Sequence, residues 1–338
     1  MAKPIGVGVV GLGFMGRTHL NAYNSAAESG LPCRVVAVCS SDPAQLDPTR
    51  KAGGNIDSGA EGPLFDPEQV ACYTDYGAML ADDRVGLVSV CTPTPTHVDL
   101  AIRALEAGKH VLVEKPVAVS LAEVERLEKA AAEAGTLCVP AMCVRAWPAW
   151  AWLKARVEDG SLGELRSLSI RRLGTRPGWS SFYADPGSSG GGLVDLHIHD
   201  TDFVCWLLGI PSSVSSAGTI DHVTTQYRYE GGPAHVVAEG AWDHHEGFPF
   251  VMRYTAVFDE ATADCQLGRD PELCLYRAGE TEAVELEPIT GWDGQIRRLI
   301  GAIAEGGDPP ATMGEAAAVM RVIEAEKQSL AEGGAVRV

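Results

Sequence analysis

Long apolar runs are missing from this 338-residue chain. None reaches the roughly 18 residues that a membrane-spanning helix needs, so the chain is expected to be soluble. Basic charge is scarce as well. Against 45 Asp and Glu there are 27 Lys and Arg, a formal net charge of −18. Nucleic acid and anionic membrane surfaces are therefore not expected partners, since both are bound through basic patches. The nine cysteines include no C-x-x-C pair and are odd in number. Cys39, Cys91 and Cys138 sit inside apolar runs, where a free thiol behaves as a small buried hydrophobe. A reducing, cytoplasmic setting fits this usage. No internal repeat is visible.

What is present is enough apolar sequence for two cores. The length exceeds the roughly 250 to 300 residues at which a single core stops growing, which predicts two domains. Residues 5–16 begin with an apolar run too short and glycine-broken for a signal peptide. It reads instead as a strand leading into G-x-G-x-x-G at Gly11, Gly13 and Gly16, with a helix predicted over 14–27. The first glycine permits a tight turn and the second lets backbone approach a pyrophosphate. The third admits close packing of the helix, whose N-terminus, with Phe14 and Met15, receives the phosphates. The second strand ends in Ser40-Ser41, where an acidic residue that holds the ribose 2′-hydroxyl is usual. Small hydroxyl side chains leave room for a 2′-phosphate, yet no arginine follows at once and Asp42 is two residues away. The choice between NAD and NADP stays open, tilted toward NADP.

Residues 47–68 are rich in Gly, Pro and Asp without periodicity and read as a surface insertion. Arg50 or Lys51 within it could fold back to a cofactor phosphate, but a solvated loop is the plainer reading. A strand over 86–91 runs into Thr92-Pro93-Thr94-Pro95-Thr96-His97, where prolines stiffen the turn and hydroxyls at a strand's C-terminal end can line a nicotinamide ribose. A helix over 98–107 follows. The next strand stops in Glu114-Lys115-Pro116, delivering an amine to the sheet edge where ligands bind in open α/β folds. Taken alone, Lys115 is more simply a solvated loop residue. Ser120-x-x-Glu123 reads as a capping box opening another helix, and a strand over 137–141 closes the series. Alternating strands and helices through residue 141 predict a parallel, doubly wound sheet over 1–141.

After residue 141 the pattern changes. Period-two runs at 168–173, 226–229, 234–239, 252–258 and 282–286 predict a mainly antiparallel sheet with one protected face in an α+β domain over 142–338. A second capping box at Thr312 and Glu315 launches a last helix to about residue 330. Among these strands, three glycines at 190–192 precede a helix on which Asp195, His199 and Asp202 would share a face at i, i+4 and i+7. An imidazole beside a carboxylate suits general acid/base chemistry. Asp195 could equally complement a helix dipole, and His199 could be a satisfied core histidine. A metal held by His197, His199 and the aspartates is a rival reading. The two histidines are two residues apart on a helix and point to different sides, so no metal is expected.

In this order, the glycine motif, the Thr-Pro-Thr-Pro-Thr-His segment, Glu114-Lys115-Pro116 and Asp195-x-x-x-His199 resemble the glucose-fructose oxidoreductase / inositol dehydrogenase (Gfo/Idh/MocA) family over nearly the whole chain. The resemblance implies a Rossmann domain, a C-terminal open-faced sheet used in oligomerisation as a homodimer or homotetramer, and a catalytic trio of Lys115, Asp195 and His199. It implies hydride transfer between nicotinamide and a hydroxyl- or keto-bearing carbon of a sugar, polyol or related cyclic alcohol, with His199 moving the hydroxyl proton. Two departures stand out: His197 occupies a position where the family commonly has glycine, and Ser40 replaces a frequent acidic residue. The cofactor contacts expected are Gly11, Gly13, Phe14, Met15, Gly16, Ser40, Ser41, Thr92, Pro93, Thr94, His97, Glu114 and Lys115. Arg145, Trp147, Arg172, Trp179 and Tyr183 join the trio as expected substrate contacts, since aromatic faces and cationic donors suit polyols, although packing explains each tryptophan equally well. Two rival functions remain on this fold: a glycoside hydrolase using NAD transiently, and a non-catalytic sugar or dinucleotide sensor.

Overall fold

The computed structural model describes residues 4–51, 53, 54, 56 and 62–338. The expected insertion at 47–68 therefore falls partly outside the described residues. In chain order the elements are β1 (Ile5–Val10), α1 (Phe14–Glu28), β2 (Cys33–Cys39), β3 (Ala71–Tyr73), α2 (Tyr76–Leu80), β4 (Leu87–Val90), α3 (His97–Glu106), β5 (His110–Val113), α4 (Leu121–Glu133) and β6 (Cys138–Pro140). There follow α5 (Pro148–Asp159), β7 (Leu165–Leu173), α6 (Pro186–Ser189), α7 (Gly191–Asp195), α8 (Ile198–Leu208), β8 (Ser213–Thr219), β9 (His222–Arg228) and β10 (His235–Ala241). The chain closes with β11 (Val251–Phe258), β12 (Thr262–Gln266), β13 (Leu273–Arg277), β14 (Glu280–Ala283), α9 (Gly291–Glu305), α10 (Met313–Glu332) and β15 (Ala335–Arg337).

Two compact units result. One comprises Met1–Cys143 with Thr290–Ala317, the other Val144–Ile289 with Ala318–Val338. In the first, six parallel strands lie in the order β3-β2-β1-β4-β5-β6. Their near-continuous apolar sequences follow from burial on both faces: Val7, Val9, Leu87, Val88, Leu112 and Val113 are fully buried. Strand order reverses between β1 and β4, so the carboxyl ends of these two strands flank the crevice where ligands of such sheets bind. Segment 290–317, which the sequence pattern assigns to the second part, belongs with this unit. Its helix α9 packs on α1 through an edge-on contact of Trp292 with Phe14, 6.1 Å between ring centres. A capping box of Thr290 with Asp293, unforeseen in the sequence, starts α9.

The second unit is built on a nine-stranded sheet ordered β14-β13-β12-β11-β7-β10-β9-β8-β15. Only β7 and β10 pair in parallel. Alternation is regular on β11, where Met252, Tyr254, Ala256 and Phe258 are buried and the residues between them half-buried. Helices cover that inner face. Trp150 of α5 stands edge-on between Phe203 of α8 (4.7 Å) and Tyr254 (5.1 Å), and the Tyr254 hydroxyl donates to the Ala149 carbonyl at 2.8 Å.

Three expectations need correction. Ser120 is the N-cap residue of α4 but its hydroxyl makes no cap bond, so no capping box forms there. The box at Thr312 does form, with Glu315 N–H donating to Thr312 Oγ1 at 3.2 Å and Thr312 N–H to Glu315 Oε2 at 2.8 Å. The helix expected to carry Asp195 and His199 is broken at Leu196 and His197: Asp195 ends α7 and His199 lies in the first turn of α8. The break also removes the single helix face expected for Asp195, His199 and Asp202, and Asp202 is buried at 1% exposure. Among the described residues, no helix is long and apolar enough to cross a membrane.

Candidate active site

The first unit carries the expected cofactor residues at the carboxyl ends of β1, β2, β4 and β5. Gly11 has φ 85°, and a Cβ there would lie 2.6 Å from the Cys91 carbonyl oxygen. A Cβ on Gly16 would lie 1.9 Å from the Gly11 carbonyl oxygen, so helix and turn touch backbone to backbone. Gly13 differs: among the described residues no atom comes within 4 Å of its Cβ position. It is the N-cap of α1, has no side-chain cap, and is exposed. The helix start is thus left to its own backbone N–H groups, the arrangement that accepts a pyrophosphate. Phe14 and Met15 are half-buried in the first turn of α1. Ser40 is buried and Ser41 exposed at the end of β2. Arg17, unsuspected in the sequence although it follows Gly16 directly, is buried and ties the loop after β2 through bonds to the Gln45 and Asp47 carbonyls, 2.8 and 2.9 Å. Arg50 donates to the Ala44 carbonyl at 3.4 Å.

The corner that carries Lys115 is fastened from below. Glu114 accepts the Lys115 backbone N–H on Oε2 at 3.0 Å, and its Oε1 lies 2.9 Å from Nε2 of His19 in α1. Nδ1 of His19 lies 2.9 Å from Ser89 Oγ, which the Tyr23 hydroxyl also meets at 3.1 Å. Burial alone lowers the His19 pKa, but the Cys91 sulfur and the Glu114 carboxylate more than reverse this and push it up to about 10. The pair is a buried imidazolium–carboxylate. Glu114 is thereby turned toward α1 and fixes the corner from within.

His97 is likewise a brace: it is 1% exposed, with Nδ1 2.9 Å from the Pro116 carbonyl and Nε2 2.7 Å from the Thr92 carbonyl. Burial pushes its pKa down, against the two carbonyls, which favour the charged ring. Of the neighbouring expected contacts, Thr94 is buried, Thr92 half-buried and Pro93 exposed. Lys115 is half-buried.

In the second unit Asp195 and His199 are half-buried on either side of the α7–α8 break. Gly190 and Gly191 reach φ 77° and 70° at the entry to α7. The loop is held by Asp221, whose Oδ1 accepts the Gly192 N–H (3.2 Å) and the Trp242 Nε1–H (2.6 Å) and whose Oδ2 accepts from Arg176. Tyr183 stands edge-on between Trp179 (5.9 Å) and Trp242 (6.1 Å). Trp179 is 43% exposed, so this aromatic row reaches solvent. Asp221 and Trp242 escape the sequence because the side-chain bonds of Asp221 reach residues at least 21 positions away.

Arg145 and Arg172, expected substrate contacts, are both held in buried ion pairs. Arg145 binds Asp202 through two bonds, Nε to Oδ2 at 3.0 Å and Nη2 to Oδ1 at 2.6 Å, with both side chains buried. Arg172 Nε donates to Asp200 Oδ1 at 2.9 Å, again buried. Each guanidinium fastens α8 instead of facing solvent, the pairing that a buried charge requires. Trp147 is also buried, at the N-cap of α5. Among the described residues, no group of three or more His, Cys, Asp and Glu side chains is placed to hold a metal ion.

Comparison with known proteins adds the following. A family model described as "Oxidoreductase family, NAD-binding Rossmann fold" matches residues 5–142, and one described as "GFO/IDH/MocA C-terminal domain" matches residues 150–263. The chain is 29% identical over 230 residues to D-glucoside 3-dehydrogenase of Escherichia coli (strain K12), covering 67% of this chain and 60% of that protein. It is 36% identical over 145 residues to scyllo-inositol 2-dehydrogenase (NAD(+)) of Bacillus subtilis (strain 168), covering 42% and 41%. These matches span less than two thirds of the relatives' own lengths. A levoglucosan dehydrogenase solved in complex with NADH and levoglucosan shares the fold, with a TM-score of 0.82 at 22% identity over 99% of both chains.

Proposed function

This chain belongs to the GFO/IDH/MocA oxidoreductase family, and on that premise we propose that it is an NAD(P)-dependent dehydrogenase or reductase acting on a hydroxyl- or keto-bearing carbon of a sugar, polyol or related cyclic alcohol. The observation that carries the reading is the Lys115 corner. An amine follows the carboxyl end of a strand in a Rossmann sheet that also carries a glycine turn open at Gly13, on a backbone fixed by a buried His19–Glu114 pair. The nicotinamide supplies the hydride acceptor or donor when bound.

The chain's own groups do the rest. His199 takes the proton of the substrate hydroxyl during oxidation and returns it in the reverse direction. Lys115 hydrogen-bonds the same oxygen and stabilises the charge developing on it. Asp195 orients His199 or a neighbouring hydroxyl. Trp179 and Tyr183 offer aromatic faces to the carbon-bound hydrogens of a ring. Gly11, Gly13 and Gly16 bind the cofactor phosphates and Thr92 lines its ribose; Ser40 and Ser41 leave NAD and NADP both admissible. A cytoplasmic location and a homodimer or homotetramer formed through the nine-stranded sheet complete the proposal.

The test is absorbance of the reduced nicotinamide with NAD and NADP against a panel of polyols and sugars. Turnover is expected with at least one polyol, and Lys115→Ala is expected to abolish it while leaving cofactor binding intact. Glycoside cleavage with no accumulation of reduced cofactor would instead mark a hydrolase, and ligand binding without turnover a sensor. Activity surviving Lys115→Ala would overturn the assignment of the amine.

A further inference from the structure

Several elements of the second unit meet at one side chain. His197 occupies the joint between α7 and α8. Its backbone N–H donates to the Gly192 carbonyl of α7 at 2.8 Å, and its carbonyl accepts from the Asp200 and Thr201 N–H groups of α8 at 2.9 and 3.1 Å. The imidazole does not cap α8. It turns inward and is fully buried. Nε2 lies 3.2 Å from the Tyr227 hydroxyl of β9 and 3.5 Å from Glu326 Oε2 of α10. Thr201 Oγ1 joins the same two partners, 2.9 Å from the Tyr227 hydroxyl and 3.0 Å from Glu326 Oε1. Nδ1 stands 3.9 Å from Asp200 Oδ2.

The remaining wall is β10. A Cβ on Gly240 would lie 2.6 Å from His197 Nδ1, 2.8 Å from its Cβ and 3.0 Å from its Cγ. The backbone of Gly240 is not in the left-handed region, so no turn demands glycine there. The missing side chain serves the ring. Because α10, β9 and α8 close the other sides, a methyl group at 240 can be accommodated only by moving His197, and His197 carries the joint with it.

We propose that His197, seated in the gap left by Gly240, is the positioning residue that fixes the α7–α8 joint and so the placement of Asp195 and His199. This role rests on the reading of those two residues as catalytic groups. His197 is sealed from solvent and acts through the backbone it anchors, not on the reacting atoms.

The test is a double-mutant cycle in the full chain with Gly240→Ala, His197→Ala and the double variant, and with His199→Asn as control. The readouts are kcat and KM with the best polyol, cofactor affinity by fluorescence, and amide hydrogen exchange of residues 195–201 in the protein without cofactor. Gly240→Ala and His197→Ala are each expected to lose about tenfold or more in kcat, since small misplacements of reacting groups carry large rate penalties. Cofactor affinity should stay unchanged while exchange at 195–201 rises. The double variant is expected to lose less than the product of the single losses, because the methyl group then meets no ring.

Wild-type kcat in Gly240→Ala, or strict multiplicativity in the cycle, overturns the proposal. If Gly240→Ala does not fold, His197→Ala decides: unchanged kcat overturns the proposal, and a loss partly restored by His197→Gln supports it. His199→Asn separates the two levels. Activity retained in that variant removes the catalytic reading on which the proposal stands, whereas activity lost there with a multiplicative cycle removes only the positioning role.

Discussion

At the scale of single residues, buried charges decide what the candidate site can hold in place. The His19 imidazolium is stabilised by Glu114 on one side, with Ser89, Tyr23 and Cys91 as its other neighbours. Its pKa in the folded chain, about 10, lies above the ordinary value of 6.5. The native state therefore binds the proton more tightly, and the stability it contributes is complete below pH 6.5 and declines as pH rises toward 10. His19→Leu is expected to leave Glu114 buried and unpaired, destabilising the chain by about 3 to 5 kcal/mol in denaturant unfolding at neutral pH. A loss near zero would mean that the pair is not closed in solution. The sequence contains both residues in plain view, yet 95 positions separate them. No local pattern couples a histidine in an apolar helix to a carboxylate at the end of a distant strand.

At the scale of elements, α8 illustrates how far a periodic pattern reaches. The i, i+4, i+7 spacing of Asp195, His199 and Asp202 is real, but the helix that would realise it is interrupted, since the chain spends two residues turning between α7 and α8. Its polar residues are then divided between solvent and core: His199 is half-exposed, while Asp200 and Asp202 are drawn in by Arg172 and Arg145. The pH response of this element follows from His197 and Glu326, with Asp200, Arg172, Tyr227 and Cys205 as the other ionisable groups around them. Burial, with the charge of Arg172, pushes His197 down to about 3, so its contribution to stability is present above pH 6.5 and is lost as pH falls toward 3. Burial pushes Glu326 up to about 8, so its contribution is present below pH 4.5 and is lost as pH rises toward 8. Together they favour the folded state most between about pH 4.5 and 6.5. Glu326→Gln is expected to flatten the decline between about pH 6.5 and 8 in thermal unfolding, and an unaltered slope there would show that Glu326 does not carry it.

At the scale of the whole molecule, the nine-stranded sheet presents one face to its helices and another that they do not cover. Ser169 of β7, Val237 of β10 and Thr255 of β11 lie side by side on that second face, all half-buried. If subunits associate there, Val237→Glu is expected to give a monomer in sedimentation analysis while far-ultraviolet dichroism stays unchanged, because the substitution places an unpaired charge in an interface. An unchanged assembly state would remove the sheet from the proposed association. What the sequence determined by itself is local or periodic: the parallel apolar strands, the glycine turn, the alternating strands of the second unit, the Thr312 capping box and the presence of Lys115, Asp195 and His199 in a telling order. These signals depend on backbone sterics and on the burial of one face or two, which act between near neighbours. Only the tertiary structure decided which charges are buried and paired, that Arg145 and Arg172 brace α8, that 290–317 returns to the first unit, and that Gly240 makes room for His197. Each of those outcomes depends on side chains tens of residues apart sharing a few ångströms of low-dielectric space, where one missing methyl group or one opposite charge settles the arrangement.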